Sequence, residues 1–313
     1  VIVPAPYDRT STWMKGADKG PAAIIAASAH LELYDIETDS EVYRHGIFTD
    51  KPIEDTQSPE KMVEAVANRI KGHLESGKFT VLIGGEHSVS IGSVQAYAEK
   101  YGDITVLQLD AHADLRDEYN GSKYNHACVM ARIKELCPIL QVGIRSMDSS
   151  EKKSMDPQRI LFAKDIYKDR TWVEKVVNKL SGRVYVTIDL DVFDLSMMPS
   201  TGTPEPGGLS WYDVLQLLRA ASENCCLVGF DVACHHVPGF GEPAQVHLGQ
   251  SAGGALGGAF LQGELQSVFL AQLPGLELHV PHQVYALAQH LHVLVHLLAC
   301  DVLHALVQPD QAD

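Results

Sequence analysis

The sequence predicts an α/β fold of three layers, α-β-α, with a mostly parallel central sheet. Five short runs predict its strands: Phe79–Ile83, Ile104–Leu109, Ile139–Ile144, Val184–Ile188 and Leu227–Phe230. These runs are apolar on both faces, as is typical of strands in a buried parallel sheet. Amphipathic runs between them, such as Pro59–Ser76 and Thr171–Leu180, predict helices. Alternating strands and helices favour βαβ units with helices on both faces of the sheet.

The length and net charge of the chain limit the classes of function that it can have. With 313 residues, 45% of them hydrophobic, the chain is long enough to bury the core of one large domain. It has 25 Lys and Arg against 40 Asp and Glu, a net charge of −15. A negative chain repels phosphate backbones, so nucleic acid is not expected as a partner. A cationic substrate would be attracted, although the acidity could equally serve solubility alone.

Cysteine usage and hydropathy bear on location. The six Cys include no CxxC pair and no disulfide framework, which predicts reduced thiols and a cytoplasmic protein. The chain starts inside an apolar run that predicts a first strand, and this start is not expected to be a signal peptide. We expect a few residues to precede this start. The segment 278–300 lacks Asp, Glu, Lys and Arg, but it contains five His and Pro281, so no membrane span is predicted.

Three predicted strands run directly into acidic residues and histidines. They lead into Gly84-Gly85-Glu86-His87, Asp110-Ala111-His112-Ala113-Asp114 and Asp189-Leu190-Asp191. The carboxyl ends of parallel strands lie along one edge of the sheet, where ligands bind. Alternate residues of an extended segment face the same way. The sequence therefore predicts one metal site at this edge, formed by His87, Asp110, His112, Asp114, Asp189 and Asp191.

The ligand types favour two manganese ions per chain. Four neighbouring carboxylates repel one another and raise one another's pKa, whereas two divalent cations would balance their charge. Oxygen ligands with a little imidazole suit Mn²⁺, whereas Zn²⁺ sites usually have fewer ligands. Such a pair of ions lowers the pKa of a shared water molecule. Each motif alone could be a turn or a helix cap, but the three together, each after a strand, favour the metal centre.

On these motifs the chain resembles the ureohydrolases, a family that includes arginase, agmatinase, guanidinobutyrase and formiminoglutamase. The resemblance covers about residues 3–232. It extends to Pro6-Tyr7-Asp8, Gly16-Ala17, Gly20-Pro21, Gly143-Ile144-Arg145, Thr201-Gly202-Thr203-Pro204 and Gly207-Gly208-Leu209. The family's fold is the three-layer one predicted above, which it shares with metal-dependent deacetylases. A deacetylase with a single Zn²⁺ is the second enzyme interpretation, and a count of bound metals would distinguish the two.

The resemblance implies a role for each residue. His87, Asp110, Asp114 and Asp189 would bind one Mn²⁺, and His112, Asp110, Asp189 and Asp191 the other. Asp114 would also belong to the catalytic residues. His126 matches the family's mobile histidine and would bind substrate and deliver a proton to the departing amine, although on sequence alone it could be a surface histidine. Thr203 would lie near the substrate guanidinium.

The reaction implied is hydrolysis of a guanidino compound to urea and an amine. Residues 114–119 and 123–127 look most like those of agmatinases, which release putrescine and urea from agmatine. Arginases have Asn where this chain has Arg116. The resemblance implies a small cationic guanidino substrate and a homo-oligomer, a trimer or hexamer. A guanidinobutyrase, an arginase and a non-catalytic family member remain the alternatives.

The resemblance ends at Val232. Family members have Asp-x-x-Glu here, and this Glu binds the guanidinium, but the chain has Cys234 in its place. All 25 Lys and Arg occur in the first 219 residues, whereas the last 94 contain nine of the fifteen His. We expect residues 1–232 to form a catalytic domain that is incomplete at its carboxyl end. Residues 233–313 would form an atypical tail, either frameshifted or genuinely divergent. Severely reduced activity is predicted, because an unpaired buried cation costs about 2–5 kcal/mol.

Overall fold

A computed structural model describes residues 1–54, 56–180 and 182–233. Within them, seven strands form one sheet in the order β1-β2-β7-β6-β3-β4-β5, and every pair of neighbours is parallel. The strands are β1 (Ile2–Ala5), β2 (Val81–Gly84), β3 (Ile104–Leu109), β4 (Ile139–Ile144), β5 (Ile160–Phe162), β6 (Arg183–Asp189) and β7 (Cys226–Ala233). The predicted parallel sheet is confirmed.

The helices connect these strands. They are α1 (Gly20–Ser28), α2 (Pro59–Glu75), α3 (Val89–Tyr101), α4 (Val129–Ile133), α5 (Ala163–Ile166), α6 (Trp172–Val177) and α7 (Trp211–Asn224). Short 3₁₀ helices span Ala17–Lys19, Val42–His45, His126–Cys128, Ser149–Lys153 and Leu190–Val192. Pro59 begins α2, where its missing N–H has no helical partner to lose. A capping box between Ser210 and Asp213 begins α7.

Two separate hydrophobic cores show that the fold has three layers. One core joins α1, α5, α6 and α7 to one face of the sheet, and the other joins α2, α3 and α4 to the opposite face. Along β3 the side chains alternate between the two: Val106 belongs to the second core and Leu107 to the first. The strands are apolar on both faces because both faces are covered. The predicted three-layer α/β architecture is confirmed.

One ion-pair cluster ties the segment after β1 to helix α2. Asp50 pairs with Arg69 at 2.9 Å and with His73 Nε2 at 2.7 Å. Burial raises the pKa of Asp50, but hydrogen bonds from His73, the Lys51 backbone and Arg69 outweigh this and hold that pKa at about 2. The ionised Asp50 therefore stabilises the packing of this edge of the sheet.

Several predictions fall on residues outside the described part of the chain. These are the role of Cys234 and the origin of the tail. None of the helices in the described ranges has the length and apolar character that crossing a bilayer requires. The division at residue 232 stays a prediction.

Candidate active site

The topology brings the three predicted loops to one edge of the sheet. β3 and β6 are neighbours, and β7 alone separates β6 from β2. Gly85 allows the loop after β2 to pass close to the segment after β1, because a Cβ at Gly85 would lie 2.0 Å from the Tyr7 carbonyl oxygen. The N–H of Glu86 donates to this same oxygen at 2.8 Å. This close approach directs Glu86 and His87 to the carboxyl edge.

His87 is at the centre of a first cluster. Its Nδ1 lies 3.2 Å from Asp110 Oδ2, 3.1 Å from Asp114 Oδ2 and 3.5 Å from Asp189 Oδ2. All four residues are buried. Asp114 has a positive φ of 52°, a conformation that Asp tolerates better than most residues. His87, Asp110 and Asp114 each offer one ligand atom within 4.8 Å of the others. The structure thus brings together the four residues expected to bind the first cation.

Asp110 also belongs to a second cluster. His112 Nδ1 lies 2.9 Å from Asp191 Oδ2 and 3.8 Å from Asp110 Oδ1. The ligand atoms of Asp110, His112 and Asp191 all lie within 4.8 Å of one another. Asp189 is linked to this cluster because its Oδ1 accepts the N–H of Asp191 at 3.1 Å. The two clusters therefore share Asp110, the carboxylate that the family resemblance assigns to both cations.

The electrostatics of the clusters fit cations. Burial, and then the charges of Asp114 and Asp191, raise the pKa of Asp110 to about 7. Burial opposes a charge on His112, but the nearby Asp191 outweighs it and raises the pKa of His112 to about 10. Protons held by Asp110 and His112 thus offset the negative charge of the buried carboxylates. Divalent cations would replace the protons, and the oxygen-rich donor set suits them.

A buried hydrogen-bond chain orients His87 from behind. The hydroxyl of Thr187 donates to Asp231 Oδ1 at 2.7 Å and lies 2.9 Å from His87 Nε2, so that it can accept the imidazole N–H. Asp231 also accepts from Ser90 at 2.8 Å and from Tyr185 at 2.7 Å. This chain of hydrogen bonds leaves Nδ1 of His87 facing the carboxylates. Sequence reasoning missed these residues, because they lie inside β6, β7 and α3 rather than in a motif that follows a strand.

Hydrogen bonds from surrounding side chains also hold the second cluster in place. Gln108 Nε2 donates to Asp110 Oδ2 at 2.6 Å, and Gln141 Nε2 donates to Gln108 Oε1 at 2.6 Å. The guanidinium of Arg145 donates to backbone carbonyls of the segment that follows β6, at Asp191 (2.5 Å), Glu205 (2.9 Å) and Pro206 (3.0 Å). Arg145 thus holds the Asp191 turn against the segment that follows Thr203.

The predicted His126 and Thr203 lie on the same side of the clusters, around one cavity. Both line one small cavity, together with Glu86, Trp13 and Met14. Burial lowers the pKa of His126, and the charge of Asp114 opposes this only in part. Burial raises the pKa of Glu86 to about 7, although hydrogen bonds from Ser88 and Thr10 act to lower that pKa. The cavity therefore combines a neutral imidazole with a titratable buried carboxyl group.

Glu205 is a further acidic residue that sequence reasoning missed. Its Oε1 lies 3.8 Å from His112 Nε2, on the side of the ring opposite Asp191. The only signal in the sequence was its position, two residues after Thr203. Its carboxylate adds negative charge to the outer side of the second cluster.

An all-parallel three-layer α/β fold with linked carboxylate–imidazole clusters at its carboxyl edge is typical of metal-dependent hydrolases. The family model for the arginase family matches residues 1–238. The chain belongs to the arginase family, whose members depend on a binuclear metal centre, and is a ureohydrolase of that family.

Named relatives and solved structures agree with this family. An N(1)-aminopropylagmatine ureohydrolase of Synechocystis sp. is 38% identical over 243 residues, which cover 74% of this chain and 79% of the relative. An agmatinase of Pyrococcus horikoshii is 34% identical and covers 74% and 82%. The structure of a putative agmatinase from Clostridium difficile is 32% identical, with a TM-score of 0.68, over 75% of this chain and 87% of that chain. The agmatine ureohydrolase of Thermoplasma volcanium has a TM-score of 0.74 at 24% identity, over 98% and 91%, and supports the fold.

Proposed function

We propose that this chain hydrolyses a cationic guanidino compound to urea and an amine with two Mn²⁺ ions, and that agmatine is the substrate. One observation carries the proposal: two groups of potential ligands, His87, Asp110, Asp114 and Asp110, His112, Asp191, share one carboxylate. A carboxylate that belongs to both groups can bind two adjacent cations. The donor types favour Mn²⁺ over Zn²⁺.

Each residue has a defined task in this proposal. His87, Asp110, Asp114 and Asp189 hold one cation, and His112, Asp110, Asp189 and Asp191 hold the other. Two such cations, once bound, would lower the pKa of a bound water molecule towards neutrality. Because burial lowers the pKa of His126, its ring is neutral near pH 7. It can therefore take up a proton and pass it to the departing amine nitrogen.

The surroundings of the site favour a substrate with a second cation over one with a carboxylate. Arg116 is the basic residue nearest in sequence to Asp114. Its guanidinium lies 4.7 Å from the centre of the Tyr119 ring and 3.7 Å from Asp148. The Arg116 guanidinium thus already has interaction partners within the protein. The carboxyl groups of Glu86 and Glu205 lie beside the clusters. This arrangement supports agmatine, which has an amine where arginine has an amino acid group.

N(1)-aminopropylagmatine is the second candidate substrate. The relative at 38% identity is named for it, whereas the agmatinase of Pyrococcus horikoshii is 34% identical. This longer compound would extend past Trp13, which is 76% exposed at the cavity. An exposed indole can contact both an aliphatic chain and an ammonium group.

Cys234 determines how active the chain is. The family resemblance places a guanidinium-binding Glu at this position. We expect the metal-binding residues to function without it and hydrolysis to be severely reduced. Replacement of Cys234 by Glu would restore the carboxylate, with a gain of about 2–5 kcal/mol in binding of the guanidinium.

Metal content and urea release test the proposal together. The purified full chain and its Cys234→Glu variant would be loaded with Mn²⁺, and the bound metal counted by elemental analysis. Urea would then be measured with agmatine, N(1)-aminopropylagmatine, arginine, guanidinobutyrate and formiminoglutamate. We expect two Mn²⁺ per chain in both proteins and fastest hydrolysis of agmatine by the variant. Faster hydrolysis of arginine would overturn the substrate assignment.

A matched pair of variants isolates the metal centre. Asp110→Asn removes the carboxylate shared by both clusters, and we expect it to bind less than one Mn²⁺ per chain. Asp103→Asn makes the same change just before the same strand, at an exposed Asp that pairs with Arg183. It should keep two Mn²⁺. Equal metal content in both variants would refute the proposed centre.

A further inference from the structure

Glu151 is a buried acidic residue that the proposed function does not use. It lies in the 3₁₀ helix after β4, is 4% exposed, and is 36 residues from Leu115 in sequence. Its Oε1 accepts the backbone N–H of Leu115 at 2.7 Å, and its Oε2 accepts the N–H of Asp148 at 2.5 Å. Both oxygens act as acceptors, a capacity that a carboxyl group has whether it is ionised or protonated.

The contact with Leu115 fixes the peptide bond that follows Asp114. The N–H of Leu115 and the carbonyl of Asp114 belong to one peptide plane, so the two groups move together. The Asp114 carbonyl accepts the N–H of Ala131, in the first turn of α4, at 3.1 Å. The plane is therefore held at both ends, by α4 on one side and by Glu151 on the other.

Asp114 needs this support because its backbone has an unfavourable conformation. Its φ of 52° lies in the left-handed region, which residues other than Gly adopt at a cost in energy. Such conformations persist only where surrounding contacts hold them. Relaxation to a negative φ would rotate the Cβ of Asp114 about its N–Cα bond. That rotation would carry Asp114 Oδ2 away from His87 Nδ1, which now lies 3.1 Å from it.

We propose that Glu151 is a positioning residue that holds Asp114 in the orientation needed to bind the first cation, the one beside His87. Asp114 belongs to the first cluster and not to the second, which contains His112. Glu151 should therefore control one of the two cation positions and leave the other unaffected. The effect on metal binding rests on the proposed function, whereas the hold on the Asp114 backbone does not.

Three variants separate this role from a purely structural one, because Glu151 also closes the capping box of its own turn. Glu151→Ala removes both contacts. Glu151→Asp is one methylene group shorter, so it can still close the capping box, as Asp213 does for α7, but should not reach Leu115. Asp213→Ala removes the equivalent carboxylate at α7 and is the matched control. If Glu151 only capped its turn, Asp would be tolerated, and Ala would lower stability as the control does.

Amide hydrogen exchange of the full chain, free of metal, tests the hold on the backbone. In Glu151→Ala and Glu151→Asp we expect faster exchange at Leu115, which loses its acceptor. Exchange should also be faster at Ala131, whose acceptor is the Asp114 carbonyl. Both amides should stay protected in the natural chain and in Asp213→Ala. Fast exchange at Leu115 with Ala131 as protected as in the natural chain, in either Glu151 variant, would overturn the proposal.

Titration with Mn²⁺, followed by competition with a chelating dye, tests the effect on the first cation. In both Glu151 variants we expect one binding step to weaken about 10- to 100-fold and the other to stay unchanged. At one equivalent of Mn²⁺, anomalous diffraction should then locate the ion beside His112 rather than His87. Equal weakening of both steps, or of neither, in Glu151→Ala would refute the positioning role. If the natural chain binds no Mn²⁺ while Ala131 exchanges as expected, the hold on Asp114 stands and the proposed function fails.

Discussion

Thr187 offers a test of how the protein orients His87, a proposed metal ligand. In Thr187→Val the shape of the side chain is retained, but Nε2 of His87 loses the oxygen that lies 2.9 Å away. Asp231 at the same time loses one of its three hydroxyl donors. A buried donor left without a partner costs about 1–3 kcal/mol. We expect the free energy of unfolding of the metal-free protein to fall by this amount.

The same substitution should weaken metal binding. Loss of a group that orients a metal-binding histidine typically lowers metal affinity about 10- to 100-fold. This factor corresponds to about 1.4–2.8 kcal/mol. Mn²⁺ affinity would be measured by competition with a chelating dye, and stability by urea unfolding of metal-free protein. The expected change is a 10- to 100-fold higher Kd for Mn²⁺.

A second buried threonine supplies the matched control. Thr80 is 1% exposed, and its hydroxyl lies 2.7 Å from that of Tyr97, near the opposite end of β2 from His87. Thr80→Val should lower stability by a similar amount and leave the Kd for Mn²⁺ unchanged. If Thr187→Val bound Mn²⁺ within two-fold of the natural chain, the orienting role of the Thr187 chain would be refuted.

Three further predictions concern the scaffold. Gly85→Ala should lower the free energy of unfolding by about 3 kcal/mol or more, because its Cβ would overlap a backbone carbonyl. Gly72→Ala, on an open surface of helix α2, should instead raise the free energy of unfolding by about 0.5–1 kcal/mol. Asp50→Asn should cost about 1 kcal/mol at pH 7, since a pKa held at about 2 corresponds to about 2.5 kcal/mol before solvent screening. Burial raises the pKa of Cys128 to about 11, so iodoacetamide should modify it far more slowly at pH 7.5 than the exposed Cys226.

Each of these predictions has a contradicting result. Urea unfolding that ranked Gly85→Ala above Gly72→Ala would contradict the close approach of the two loops. The Asp50 pKa is depressed, so its stabilisation is present above the unfolded value of about 3.9 and is lost as the pH falls towards 2. A stability difference between Asp50→Asn and the natural chain that was as large at pH 2 as at pH 7 would exclude this ion pair as its source. Equal labelling of Cys128 and Cys226, measured by peptide mass spectrometry, would show that the buried thiol is accessible.

The strands were largely predictable from the sequence, and the exceptions have physical reasons. β3 and β4 have the predicted bounds. β7 runs on to Ala233, beyond the predicted end at Phe230, because the buried Asp231 is satisfied by hydroxyl donors rather than by solvent. β5 was missed because it has three residues at the edge of the sheet. The helix predicted for 171–180 is shorter, Trp172–Val177.

The site was predictable where its residues follow one another closely in sequence. The Asp110–Asp114 motif contains three potential ligands within five residues, and the parallel sheet brings it to the other two motifs. Contacts between distant segments left no such pattern: Thr10 and His126 are 116 residues apart. Arg145 belonged to a segment that resembles the family, but its bonds to backbone carbonyls depend on a loop path that residue types do not encode.

The sharing of Asp110 between two clusters has a thermodynamic consequence. A cation that fixes this carboxylate at one position has already restricted the rotamer on which the other position depends, so the second binding step loses less side-chain entropy than the first. The two affinities are then linked, and by reciprocity each cation changes the affinity for the other by the same factor. Opposing this, the positive charges repel each other across one bridging group. The balance determines whether the protein fills its two positions in a single sigmoidal step or in two separate ones.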